Sequence, residues 1–166
     1  MRRLLRTGEH LNVIFDSTGM KVFGEGEWKV RKHGYSKRRT WRKLHVGMCA
    51  DTGQVVGSAI TSNDVSDDFA MIHMMKALEG TPLGDVIGDG YDTIDCREAI
   101  HDGGGRQIIP RDKNVNLYRG KPIPALQERD KAIQRIQELG DDGRALWKKA
   151  INYQPKISIR DSYVSR

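Results

Sequence analysis

Two aspartates close two apolar, strand-like runs, Leu11-Asn12-Val13-Ile14-Phe15-Asp16-Ser17-Thr18-Gly19 and Val86-Ile87-Gly88-Asp89-Gly90. Adjacent strands lie about 4.8 Å apart. Carboxylates delivered by neighbouring strand ends can therefore hold divalent cations about 3.5 to 4 Å from one another, the geometry of two-metal phosphoryl transfer. A carboxylate ending an apolar run is expensive to desolvate without a partner, and a bound cation is the partner that turns this cost into chemistry. Oxygen ligands suit Mg2+, which takes one or two carboxylates and completes its octahedron with substrate phosphates and water. Taken singly, each acid reads equally as a turn cap, through Ser17 and Thr18 in the case of Asp16, or as the partner of an arginine.

Between Trp28 and Lys43 stand Lys29, Arg31, Lys32, Lys37, Arg38, Arg39, Arg42 and Lys43, interleaved with Trp28, Tyr35 and Trp41 and with no acid among them. Such a block forms an electrostatic footprint for a phosphate backbone, and its rings offer stacking surfaces to unpaired bases. The alternative is a solvated hairpin face, disfavoured because the like charges repel without an anionic counterpart. His33, His45, His73 and His101 form no recognisable metal pair, so structural roles are expected of them. Ser17 has no nucleophile elbow around it, and Gly103-Gly104-Gly105 lacks the Lys and Ser or Thr of a phosphate-binding loop.

The elements that must position these residues fit one domain. The chain has 166 residues, with 28 Lys plus Arg against 22 Asp plus Glu, a formal charge of +6 and a pI near 9.4. That balance favours a polyanionic partner over a small-molecule substrate. Cys49 and Cys96 are far apart in no metal-ligand spacing, which excludes a disulfide framework and fits a reducing, cytoplasmic setting. No apolar stretch reaches membrane-spanning length, and the basic start is too short for a signal-peptide core.

Residues 42–48 and 54–60 alternate as a hairpin around Asp51-Thr52-Gly53. Lys21 to Phe23 either continues the first strand or opens another hairpin. Ser66 caps a helix whose Met71, Met74, Met75 and Leu78 share one face as core filler. A strand over 83–89, a helix over 93–101 ended by three glycines, and a strand over 107–109 follow. Helical periodicity begins at Ala125, breaks at 140–143 and resumes to Ile151. Strand and helix alternation after a hairpin predicts an α/β fold with a mixed sheet.

Phe15-Asp16-Ser17-Thr18-Gly19, Trp28-Lys29-Val30-Arg31-Lys32-His33-Gly34, Arg39-Thr40-Trp41-Arg42-Lys43-Leu44-His45, Gly88-Asp89-Gly90-Tyr91-Asp92 and the helix over 144–149 resemble the catalytic domain of bacterial DDE transposases of the insertion-sequence-five type. The resemblance runs from about Thr7 to Tyr153. It implies a ribonuclease H-like fold, a mixed five-stranded sheet flanked by helices. It also implies that two aspartates and a glutamate bind two Mg2+ ions, activate water to cut DNA at the element's ends, and let the freed 3′ hydroxyl attack target DNA. Asp16 and Asp89 match the first two acids, and the basic block is the expected DNA contact.

The third acid departs from the pattern. The family places it in a signature of Tyr, two residues, Arg, three residues, Glu, six residues and Lys. Here Tyr153 matches, but Lys156 stands at the arginine position, Arg160 at the glutamate position, and the lysine position falls beyond Arg166. Pro155 also opposes a helix there. The expectation is an incomplete transposase domain over 1–153 with a divergent tail over 154–166, from a truncated or frame-shifted gene and with weak or no cleavage activity. The alternative is a non-catalytic DNA-binding remnant that competes or pairs with the intact enzyme. DNA is the expected partner and a homo-oligomer is possible on this reading, the apolar surfaces of Trp147 and Ile151 being left partly uncovered.

Overall fold

Strand β1 (Leu11–Val22) takes its two faces from its alternation, with Leu11, Val13 and Phe15 buried and Asn12, Ile14 and Asp16 only partly so. The computed structural model describes residues 9–22, 40–111, 116–151 and 153. Beside β1 lies β2 (Thr40–Cys49), antiparallel to it, and β2 pairs in turn with antiparallel β3 (Val55–Ser62). On its other side β1 pairs in parallel with β4 (Leu83–Gly88), and β4 with β5 (Arg106–Ile108). The order is β3-β2-β1-β4-β5. Strand β2 alone runs against the rest, so the mixed five-stranded sheet expected of a ribonuclease H-like fold is what forms.

Four helices flank the sheet: α1 (Asp67–Lys76), α2 (Ile94–Asp102), α3 (Gln127–Glu138) and α4 (Gly143–Ala150). The methionine stripe of α1 is core, as its spacing predicts: Met71, Met74 and Met75 join Phe15, Val86, Cys96 and Ile100 in one buried cluster. Ser66 does stand at the α1 N-cap, yet its side chain makes no capping bond. At α2 the cap works as designed, the Thr93 hydroxyl accepting the Cys96 N–H at 3.3 Å. Cys49 and Cys96 are free and buried, and burial pushes the Cys96 thiol up to about 11.

The hairpin turns at Gly53, whose φ of 69° suits a residue without Cβ. Strand β1 continues through Val22, which decides between the two readings of that stretch up to that residue. The helix expected from Ala125 opens instead with a 3-10 turn, Pro124–Leu126, because Pro at the first position lacks an N–H. Gly140, at φ 74°, separates α3 from α4 where the sequence breaks its period. Among the described residues, no helix is long and apolar enough to cross a membrane.

Gly88 is the last residue of β4, and a Cβ added there would stand 2.5 Å from Cδ2 of the Tyr91 ring. That ring is 1% exposed and has no room to retreat. Gly88→Ala is therefore expected to cost about 1–3 kcal/mol through overpacking, read as a lowered urea midpoint at unchanged slope.

Candidate functional site

The parallel ladder sets Phe15 opposite Gly88, the last residue of β4, so Asp16, in the middle of β1, and Asp89, just beyond β4, each follow a paired residue. Side chains alternate along a strand, and residues in register on parallel strands share a face. Phe15 belongs to the buried cluster, which leaves Asp16 for the opposite face, while Asp89 lies beyond the end of β4. The Asp16 Oδ1 accepts the Ser17 N–H at 2.8 Å, but no turn is capped there, since β1 runs on through Ser17 and Thr18 paired with β2. Asp89 is the more open of the two, its side chain 56% exposed.

Tyr153 reports on both. Its phenol is shifted upward by burial first and then by the negative charges of Asp89 and Asp16, with Arg144 opposing. One ring thus lies within electrostatic reach of both acids, and it keeps its proton. Lys148 completes this corner, with its Nζ 3.8 Å from Asp89 Oδ2 and 4.7 Å from the centre of the Tyr153 ring. The Tyr91 phenol on the core side is raised too, by burial, then Asp67, then Asp16.

Two further carboxylates anchor the strand ends, and neither was legible as a site residue. Asp67 opens α1. Its Oδ2 accepts the Ser17 hydroxyl at 2.7 Å and its Oδ1 accepts Lys43 Nζ at 3.1 Å, while Lys43 also donates to the Val65 carbonyl at 2.8 Å. Desolvation opposes the Asp67 charge, but the bonds from Ser17 and Lys43 outweigh it and hold the carboxyl below its usual range. His45 sits beneath, fully buried, with Nε2 2.8 Å from Thr61 Oγ1 and Nδ1 3.8 Å from Asp67 Oδ1.

Asp92 anchors the other side. Its buried carboxylate accepts Arg97 Nε at 2.8 Å and Arg129 Nε at 3.0 Å. Arg97 goes on to Gln107 Oε1 at 2.7 Å and the Ile109 carbonyl at 3.1 Å. This cluster locks the loop that follows Asp89 onto α2, β5 and α3. The only sequence signal was the acid-rich Gly-Asp-Gly-Tyr-Asp loop; nothing local pairs Asp92 with Arg129.

Of the expected DNA contacts, Arg42 is exposed on β2, and Lys43 is half-buried in the Asp67 anchor. Lys29, Arg31, Lys32, Lys37, Arg38 and Arg39 lie outside the described residues, as does the tail over 154–166 with Lys156 and Arg160. The histidines keep structural settings: His45 is buried, His73 is exposed, and His101 closes the last turn of α2.

Among the described residues no three His, Cys, Asp or Glu side chains gather closely enough to hold a metal ion. The donors that the sequence singles out are two carboxylates, Asp16 and Asp89. Hard oxygen donors in that number fit Mg2+, which relies on phosphate oxygens and water for its remaining positions.

A family model described as a transposase DDE domain matches residues 7–161. The match takes in positions 156 and 160. No solved structure matches the chain.

Removing the shared acceptor of two buried arginines leaves uncompensated like charges, so Asp92→Ala is expected to destabilise the fold by about 3–5 kcal/mol, measured by urea denaturation. A second expectation concerns pH. Burial is the leading influence on His45 and lowers its pKa, with Asp67 opposing and Lys43 assisting. The unfolded imidazole therefore binds a proton at a higher pH than the folded one. Folding stability is fully present above about pH 6.5 and falls as pH drops from there toward the lower folded value. His45→Gln should flatten that decline when urea midpoints are compared between pH 7.5 and 5.5.

Proposed function

Because the chain belongs to the family of transposase DDE domains, whose work is DNA cleavage in transposition, we propose that Asp16 and Asp89 form a Mg2+-dependent site for DNA strand cleavage and strand transfer, in a transposase of the insertion-sequence-five type. The observation that supports this reading is the parallel register of β1 with β4, in which Asp16 and Asp89 each follow a paired residue, Phe15 and Gly88. Bound Mg2+ would supply Lewis-acid polarisation of the scissile phosphate and a water of lowered pKa. The chain's own residues do the rest. The Ser17 N–H orients Asp16. The Asp92 clamp holds the loop that follows Asp89. Tyr153, neutral beside both acids, is available as a hydrogen-bond donor. Arg42 and the basic residues at 29, 31, 32 and 37–39 neutralise the phosphate backbone.

Arg160 at the third-acid position sets the level of activity. A cation where the family has a ligand opposes metal binding, so cleavage is weak. The same feature favours a second reading, a non-catalytic DNA-binding remnant acting as competitor or partner of an intact transposase.

Both readings are tested on one preparation by DNA binding across a salt series and by nicking of supercoiled plasmid with and without Mg2+. The expected result is binding whose logarithm falls linearly with that of salt, with slow Mg2+-dependent nicking that Asp16→Asn abolishes while DNA affinity persists. Binding with no nicking leaves the remnant reading. Nicking that Asp16→Asn leaves unchanged overturns the site assignment, and absence of DNA binding overturns both readings.

A further inference from the structure

Lys148 places its ammonium beside Asp89, the second acid of the proposed metal site. It lies in the last turn of α4, where a positive charge complements the negative end of the helix dipole. Its Nζ faces the Tyr153 ring at 4.7 Å and Asp89 Oδ2 at 3.8 Å, and the Tyr153 N–H returns to the Lys148 carbonyl at 2.9 Å. The ammonium is therefore brought to the second acid by its own helix end and by the tyrosine that senses both acids.

The contact is weak in a definite way. A charge-assisted hydrogen bond between ammonium and carboxylate closes to about 2.7–2.9 Å, well inside the distance seen here. The two side chains are 27% and 56% exposed, so water screens the attraction and little is lost when the pair separates. A mobile primary ammonium on a flexible stem suits temporary occupancy better than a guanidinium fork would.

We propose that Lys148 is a placeholder cation: it balances Asp89 while the site holds no metal and is displaced when a divalent cation binds there, so that it sets the affinity of the site for metal. The inference rests on the assignment of Asp16 and Asp89 as metal ligands. Displacement follows from electrostatics, since a divalent ion on Asp89 repels an ammonium within about 4 Å and outcompetes it for the carboxylate. Once displaced, the same ammonium is free to meet a phosphate oxygen of DNA, whose backbone the metal also engages.

The test is Mn2+ binding to the full chain without DNA, followed by loss of the free-ion electron paramagnetic resonance signal. Two neutral variants, Lys148→Gln and Lys148→Met, should each bind Mn2+ about fivefold more tightly than wild type at low salt, the equivalent of the unit-charge attraction between ammonium and the Asp89 carboxylate at about 4 Å in water that the wild type must break. The gain should shrink in 0.5 M salt (about 4 Å of screening length). Lys148→Arg, which keeps the charge, should show no gain over wild type. Either neutral variant that folds suffices, as judged by its melting transition. If wild type binds Mn2+ in a manner lost in Asp16→Asn, yet the neutral variants bind no more tightly, the placeholder role is wrong and the ligand assignment stands. If neither wild type nor the neutral variants show Asp16-dependent binding, the ligand assignment fails and the inference falls with it.

Discussion

The parallel ladder between β1 and β4, with Val13 beside Val86 and Phe15 beside Gly88, decides where both acids stand. Side chains alternate with period two, so a one-residue slip would turn the buried residues of β1 to the opposite face of the sheet. Burial is what forbids the slip. Leu11, Val13, Phe15 and Val86 are each at most 2% exposed against the helices, and exposing any one of them would forfeit about 1.5–3 kcal/mol. Asn12 guards the one irregular point. The register shifts between Leu11 and Val13, and there the Asn12 side-chain oxygen accepts the Asp85 N–H at 2.8 Å, in place of a backbone partner. An apolar core thus fixes, from behind, the placement of two polar groups that face away from it.

That placement carries an electrostatic cost which the fold meets with cations rather than by dispersing the acids. Asp67 is met by Lys43, and Asp92 by Arg97 and Arg129. The two anchors differ in depth. Asp92 is fully enclosed and its partners nearly so; such an ion cluster adds little net stability over an apolar packing but is costly to break, so its effect is to define one arrangement of the loop after β4. Asp67 is more open, its side chain 37% exposed, and it secures β1, β2 and the start of α1 through hydrogen bonds. Together they brace Ser17 on one strand end and Asp92 on the other, leaving Asp16 and Asp89 between fixed points.

The strands and helices were legible because each is driven by local periodicity: the alternation of 42–48, the methionine stripe of α1 and the glycines after α2 all mark real features. Asp16 and Asp89 were visible as strand-end acids, but their adjacency depends on a pairing between residues more than seventy positions apart, for which only the family resemblance argued. The anchors were illegible for the same reason. Asp67 stands in the first turn of α1, where local sequence offers it only a helix-dipole role, whereas its bonds to Ser17 and Lys43 span 50 and 24 residues. Lys43 read as a phosphate contact because charge is visible in a sequence and its internal partner is not. The Arg97 guanidinium, 2% exposed on α2, gave no warning of burial, since its compensation comes from β5, α3 and the loop after β4.

The two tyrosines bear on why this end of the sheet suits a cation. Tyr91 lies in the apolar cluster and Tyr153 beside Lys148, yet both phenols are driven the same way, by burial and then by nearby acids that include Asp16 in each case. Both therefore remain neutral at any physiological pH, and neither adds charge to a region already rich in carboxylates. The protein at this edge contributes negative potential with a low-dielectric core behind it, where Coulombic interactions are less screened than in open water. Such a potential attracts cations of any kind, and the structure shows which ones the chain itself supplies: Lys43 at Asp67, and Lys148 at Asp89. The first is locked by two hydrogen bonds, to the Asp67 carboxylate and to the Val65 carbonyl. The second is held loosely, at the more exposed acid. The chain thus secures one of these cations by hydrogen bonds at the less exposed acid and holds the other at a longer distance from the more exposed one.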